Sequence, residues 1–416
     1  MATKKGKAKG IIGGILAAVI AVGALGGALH IINKKTHFIT TDGNLPCVAG
    51  FTGLTNSNGV LTYTGSLEKF NDYKGEDGKA TTVYSTKESG EFVTVTSPLD
   101  NVWPYNAIKT VKDEYNNSFT AFPKMYMSYT YNRAGYVDGI SFANYKVNDS
   151  YFISDAYLKP DGSGEYGDYF YIGQYEGSGT EEKLASVASA TPLVNVTRAE
   201  VRTAARAYGN AKTFYEGYQQ LDLPMFNIFE YLVSMYYKTP DIQSVYGEEV
   251  TCTSVVTTGT TAPISSMNGW NTSTGAVKLL GIENMCDSAT EFCDGINFEQ
   301  NSIYYQSNPI NYTDTIDKTS DVVIEFDRPT TSGKVELLMT GSTEKTQSIT
   351  FPAYTSNSSE DFVDDGYWFN EESSILFVGG SKNSIVDYRG LWAFDCSETA
   401  DNSSDVGCGR LCKRDV

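Results

Sequence analysis

The chain has 416 residues and a formal net charge of −18, with 29 Tyr, 20 Phe and 39 Gly. That length admits two or three domains, or one large domain with appendages, and the composition favours short strands and polar loops over helical bundles. Residues 1–36 hold six Lys and no acid, so the remainder carries 26 basic against 50 acidic residues, a surface that repels phosphate backbones and argues against nucleic acid as a partner.

In chain order, a basic tail (1–9) leads into an apolar segment (10–32). Residues 11–32 carry no charge and are long enough as a helix to cross a ~30 Å hydrocarbon core. Four Lys before the segment and two after it favour the N-terminus inside and the bulk outside, giving a single-pass membrane protein. Two GxxxG spacings, Gly10/Gly14 and Gly23/Gly27, would let such helices pair in a homo-oligomer. A cleaved signal peptide is the alternative, giving a secreted chain, and a virion location is another. Residues 33–98 read as a small β module or stalk, with TTVYSTKESGEFVTVTS (81–97) as a hairpin turning near 88–91.

Residues 99–416 read as one larger domain. Two helices are predicted in it from local physics. Thr197 and Glu200 form a capping box, followed by Val201, Ala204, Ala205 and Tyr208 at helical spacing and a stop at Gly209. A second helix starts near Pro224, carries Phe226, Phe229, Leu232, Val233 and Tyr236 as an apolar stripe, and ends near Thr239-Pro240. That stripe reads as core. Beyond residue 281 the chain is loop-dominated, with polar insertions at 313–320 and 354–365.

The chemistry available is narrow. Only two His occur, His30 and His37, so the chain from 38 onward has no imidazole for a hydrolase triad or a His-ligated metal site. Adjacent acids such as Asp364-Asp365 and Glu371-Glu372 do not supply the opposed carboxylates of a glycosidase. Of seven Cys (47, 252, 286, 293, 396, 408 and 412), at least one is unpaired in a monomer. In an oxidising compartment the spacing admits a bridge from Cys396 to Cys408 or Cys412, with connectivity open.

Three distant stretches belong together: TPLVNVTRAEV (191–201), GIENMCDSATEFCDG (281–295) and FVGGS…GCGRL (377–411). In this order and spacing they resemble the formylglycine-generating-enzyme branch of the C-type-lectin fold. The nearest likeness is to its non-catalytic members, phage tail and receptor-binding proteins and the variable proteins of diversity-generating retroelements. The lead-in 98–131 and SYFISDAYLKPDG…DYFYIGQYE (150–176) look like the strands of the same proteins. The resemblance implies an α+β fold, with two helices beside a small twisted antiparallel sheet and long loops.

In the catalytic members of that family, two cysteines shortly after GGS bind copper as thiolates. The ungapped match places Asp387 and Trp392 there, and neither can replace a thiolate toward Cu(I). The Trp-rich run of the relatives is replaced by Cys286, Thr290 and Phe292, which leaves room for a Cys286–Cys293 bridge. Calcium-type sugar triplets (EPN, QPD, WND) do not occur. No cofactor and no metal are therefore expected. The resemblance instead implies a ligand-binding face made by Tyr367, Trp368, Phe369, Asn370, Lys382, Asn383, Asp387, Tyr388, Arg389, Trp392 and Phe394. Aromatics beside Asn and Arg suit binding hot spots. The expected function is non-catalytic recognition of a surface protein or glycan; a formylglycine-type oxidase and a structural virion component are the alternatives.

Overall fold

The computed structural model describes residues 54–57, 60–64, 84–87, 91–101, 103–208, 216–237, 239–246, 250, 252–356, 365–372, 374–381, 383–384 and 388–416. Strands dominate. They form three five-stranded sheets, a nine-stranded sheet and one two-stranded hairpin. The expected α+β fold around one small sheet is thereby corrected to a mostly β architecture. Among the described residues only two helices exceed a single turn, α1 (Arg198–Ala205) and α2 (Leu223–Tyr237).

The expected membrane span does not carry forward either. Among the described residues no helix is long and apolar enough to cross a membrane, which corrects the single-pass reading, and residues 11–32 lie outside the described residues.

Both helices form where local chemistry places them. Thr197 Oγ1 accepts a hydrogen bond from the Glu200 amide at 3.3 Å, and the Thr197 amide donates to Glu200 Oε2 at 2.7 Å, completing the capping box. Val201, Ala204 and Ala205 then bury the inner face of α1. Asp222 Oδ1 accepts from the Met225 amide at 3.1 Å, satisfying a free donor at the start of α2.

All fifteen residues of α2 are buried, so what the sequence presents as a stripe is a helix enclosed on every side. Met225, Ile228, Leu232 and Val233 each contribute about 1.5–3 kcal/mol by leaving water. The aromatic rings of α2 meet three sheets. Phe229 lies 6.5 Å from Phe122, Tyr231 5.9 Å from Tyr129, and Phe226 6.3 Å from Phe394. This helix is the axis of the core.

The strands of the predicted hairpin form, Tyr84–Lys87 and Phe92–Thr96 pairing from Tyr84↔Thr96 to Lys87↔Val93, while residues 88–90 of its turn lie outside the described residues. Its second strand also pairs with Asn268–Asn271, and Val60–Thr64 pairs with Val137–Ala143. Strands on both sides of residue 98 thus share sheets. The six described cysteines (252, 286, 293, 396, 408 and 412) are all free and buried, so neither the Cys396 bridges nor the Cys286–Cys293 bridge forms; Cys47 lies outside the described residues.

Candidate ligand-binding cleft

The second and third sequence stretches are joined by a buried ion pair, and Arg198 of the first donates to the Cys293 carbonyl of the second. Glu291 and Val378 face each other across neighbouring strands, as do Phe292 and Phe377. Arg410 Nε donates to Glu291 Oε1 at 2.7 Å and to Oε2 at 2.8 Å, and the same guanidinium reaches the carbonyls of Gly173 at 2.9 Å and Glu283 at 2.8 Å. Arg202 of α1 binds Asp294 with Nε at 2.7 Å and a terminal nitrogen at 2.9 Å. Burial works against the charge of Asp294, but the guanidiniums of Arg202 and Arg198, with Gln220, outweigh it and hold the carboxyl at about 2. The charged residues of these motifs are clamps.

The GGS turn is shaped by close approach. Gly379 has φ +77°, and a Cβ there would press into the Met285 carbonyl oxygen. Gly379→Ala should lower stability by about 1–3 kcal/mol through backbone strain, read as a fall in the urea midpoint without a change in slope. A Cβ at Gly380 would crowd Arg389 Cα at 2.6 Å, so the incoming and outgoing arms of the 380–389 loop lie against each other.

This loop and the strand Gly366–Phe369 enclose an open cleft of about 460 Å³. Trp368 and Tyr388 stand on it with ring centroids 6.1 Å apart and planes at 57°. Both are partly exposed. The Trp368 ring folds back over Gly366, where a Cβ would lie 2.7 Å from its Cη2 and 2.9 Å from Tyr388 Cβ. Gly366 is therefore the seat of the aromatic pair. Ser381, Asn383 and Ser384 form the polar wall, tied by bonds from the Asn383 amide to Ser381 Oγ and from the Ser384 amide to the Ser381 carbonyl. Asp395 lies opposite, accepting from the Ser397 amide at 2.9 Å and hydroxyl at 2.6 Å, and burial raises its carboxyl.

The residues expected on a ligand-facing surface separate into groups. Trp368, Asn383 and Tyr388 line the cleft. Tyr367 also lines it, but is 1 % exposed and donates its hydroxyl to the Pro329 carbonyl. Trp392 and Phe394 are 0 % exposed, so neither can serve as a surface contact. The Trp392 indole donates to Ser234 of α2, its amide donates to Asp365 at 2.6 Å, and its ring meets Tyr231 edge-on. Phe394 packs against Phe226 and Phe351.

Arg389 is buried as well. It donates to the Ser384 carbonyl, the Cys252 carbonyl and Asp287, so it hangs the loop on the body. Phe369 is half-buried beneath the Arg328 guanidinium, 4.7 Å away. The Asn370 side chain is taken up by the Ser397 carbonyl and the Glu372 amide. Lys382 and Asp387 lie outside the described residues.

Sequence reasoning missed Asp395, Ser332, Gly333, Ser381 and Ser384, which also line the cleft. Only Ser381, inside GGS, carried a signal. Among the described residues no group of three or more His, Cys, Asp or Glu is arranged to hold a metal ion. The sequence matches no protein-family model and no curated protein.

Proposed function

We propose that this chain is a non-catalytic recognition protein whose cleft between Tyr367 and Trp368 on one side and Ser381, Asn383, Ser384 and Tyr388 on the other grips a surface ligand, a protein or a glycan. The observation that carries this reading is the Trp368–Tyr388 pair, held part-exposed over a glycine and flanked by the short polar side chains of Ser381, Asn383 and Ser384. Large rings on a built seat give contact area at low entropic cost, while serine and asparagine adapt their hydrogen bonds to the partner. The motif likeness to phage receptor-binding and retroelement variable proteins points the same way.

The competing oxidase reading asks for a pair of accessible thiolates. Burial raises every described thiol, with Cys286 pushed up to about 12, and a buried protonated thiol is a poor copper ligand.

The test is attachment of fluorescently labelled chain to intact cells. Trp368→Ala with Tyr388→Ala should cut attachment at least tenfold, since truncating such anchors costs about 2 kcal/mol or more, with the melting temperature unchanged. Full attachment by this double variant would remove the cleft from recognition. Copper-dependent oxygen uptake with a cysteine-containing peptide would replace binding by catalysis.

A further inference from the structure

A second cleft, of about 340 Å³, lies away from the aromatic pair, between the turn Pro98–Asn101, the C-terminal end of α2 and the segment 265–268. Its floor is apolar and buried, formed by Tyr105, Tyr236, Ile108 and Leu280. Two polar side chains, Asp100 and Asn268, line it. Asp100 accepts the Tyr236 hydroxyl proton on Oδ1 at 2.8 Å and the Ser97 amide on Oδ2 at 2.9 Å. A carboxylate offers about four acceptor positions, so one on each oxygen remains available.

The Asn268 side chain lies within reach of the same hydroxyl and is 1 % exposed. Its Oδ1 accepts the Leu280 amide at 2.9 Å, whereas its Nδ2, close to the Tyr236 oxygen, makes no hydrogen bond of full geometry. A buried donor left unmet costs about 1–3 kcal/mol, which an acceptor atom from a bound molecule would recover.

We propose that this cleft binds an α-ammonium group together with its adjacent carbonyl, as found at the start of a peptide chain or in a free amino-acid amide. The ammonium sits against Asp100, and the carbonyl oxygen accepts from Asn268 Nδ2. Both protein groups flank a single phenol oxygen, so the two ligand atoms must be close neighbours in their own molecule, as the nitrogen and carbonyl of one residue are. The net charge of −18 favours a cationic guest over a free carboxylate. Desolvation raises the Asp100 carboxyl, and a bound ammonium would act in the opposite direction.

The test is calorimetric titration of the full chain with glycinamide, trialaninamide and N-acetylglycinamide at neutral pH. Glycinamide and trialaninamide should bind, and N-acetylglycinamide, which lacks the charge, should not. Asp100→Asn retains an acceptor for the Ser97 amide and should weaken amine binding at least tenfold; Tyr236→Phe, with the floor ring kept, should weaken it less. Tighter binding of trialaninamide identifies a peptide end as the guest, and tighter binding of glycinamide identifies a free amide. Equal binding of the acetylated probe, unchanged binding by folded Asp100→Asn, or no heat from either amine would overturn the proposal. None of these outcomes bears on the Trp368–Tyr388 cleft.

Discussion

Arg410→Met should cost about 3–5 kcal/mol, enough to leave much of the variant unfolded, because it strips the counter-charge from a buried carboxylate. Arg410 and Glu291 are both essentially inaccessible, and Arg410 also binds the carbonyls of Gly173 and Glu283. Removing the guanidinium leaves the buried Glu291 without its counter-charge, near Glu176 and Glu283, so that it must stay ionised at a cost or take up a proton, with two carbonyls stripped of a donor. Surface pairs such as Lys146–Asp149 behave differently and are worth about 0–1 kcal/mol.

Urea unfolding of Arg410→Met, Glu291→Leu and the double variant closes a thermodynamic cycle. The double variant should be more stable than Arg410→Met alone, since the orphaned charge is gone. Its recovery should be partial, because the carbonyls of Gly173 and Glu283 still lose their donor. Three losses that simply add would mean the pair is not coupled.

The same clamp explains what the sequence disclosed and what it hid. Both helices were legible because their signals are local: a capping box at Thr197 and an apolar run opened by Pro224. The hairpin across 84–96 was legible for the same reason, as alternating residues around a turn. The motif residues Glu291, Asp294 and Arg410 stood out in sequence, but Arg410 meets Glu291 119 residues away and Arg202 meets Asp294 92 residues away, pairings that follow no local rule. Sheet partnership was hidden too, since nothing near Phe92–Thr96 announces Asn268–Asn271 as its neighbour.

In the cleft, an aromatic's identity says nothing of the side it faces. Trp368 and Trp392 looked equivalent in the sequence. One folds over Gly366 toward solvent, while the other donates its indole to Ser234 on the central helix. Arg389 looked like a contact and is a strut, because Asp287, 102 residues earlier, receives it.

Stability should fall as pH rises from about 4.5 to 8, and Glu176→Gln should remove a large share of that fall. Glu176 is fully enclosed, and burial above all, helped by Glu291 and Glu283 and opposed by Arg410, moves its carboxyl to about 8. A folded value above the unfolded one means the folded chain holds its proton more tightly. The stabilising contribution is complete below the unfolded value near 4.5 and drains away as pH climbs through 8, by up to about 5 kcal/mol at 1.36 kcal/mol per pH unit of displacement.

Asp155, at about 6 through burial, adds a slope of the same sign over a narrower window. Asp294 acts oppositely: held at about 2, it contributes above its unfolded value and is lost as pH falls from about 4 to 2, a change of about 2 kcal/mol. The two signs together place the stability maximum on the acid side of neutrality. In Glu176→Gln, Oε1 can still accept the Ala289 amide, and the new amide nitrogen replaces an oxygen that had no partner. The variant's urea midpoint at pH 8 should therefore exceed that of the parent, with the two converging near pH 5. A parent midpoint that stays level between pH 5 and 8 would mean that Glu176 ionises without cost inside the fold.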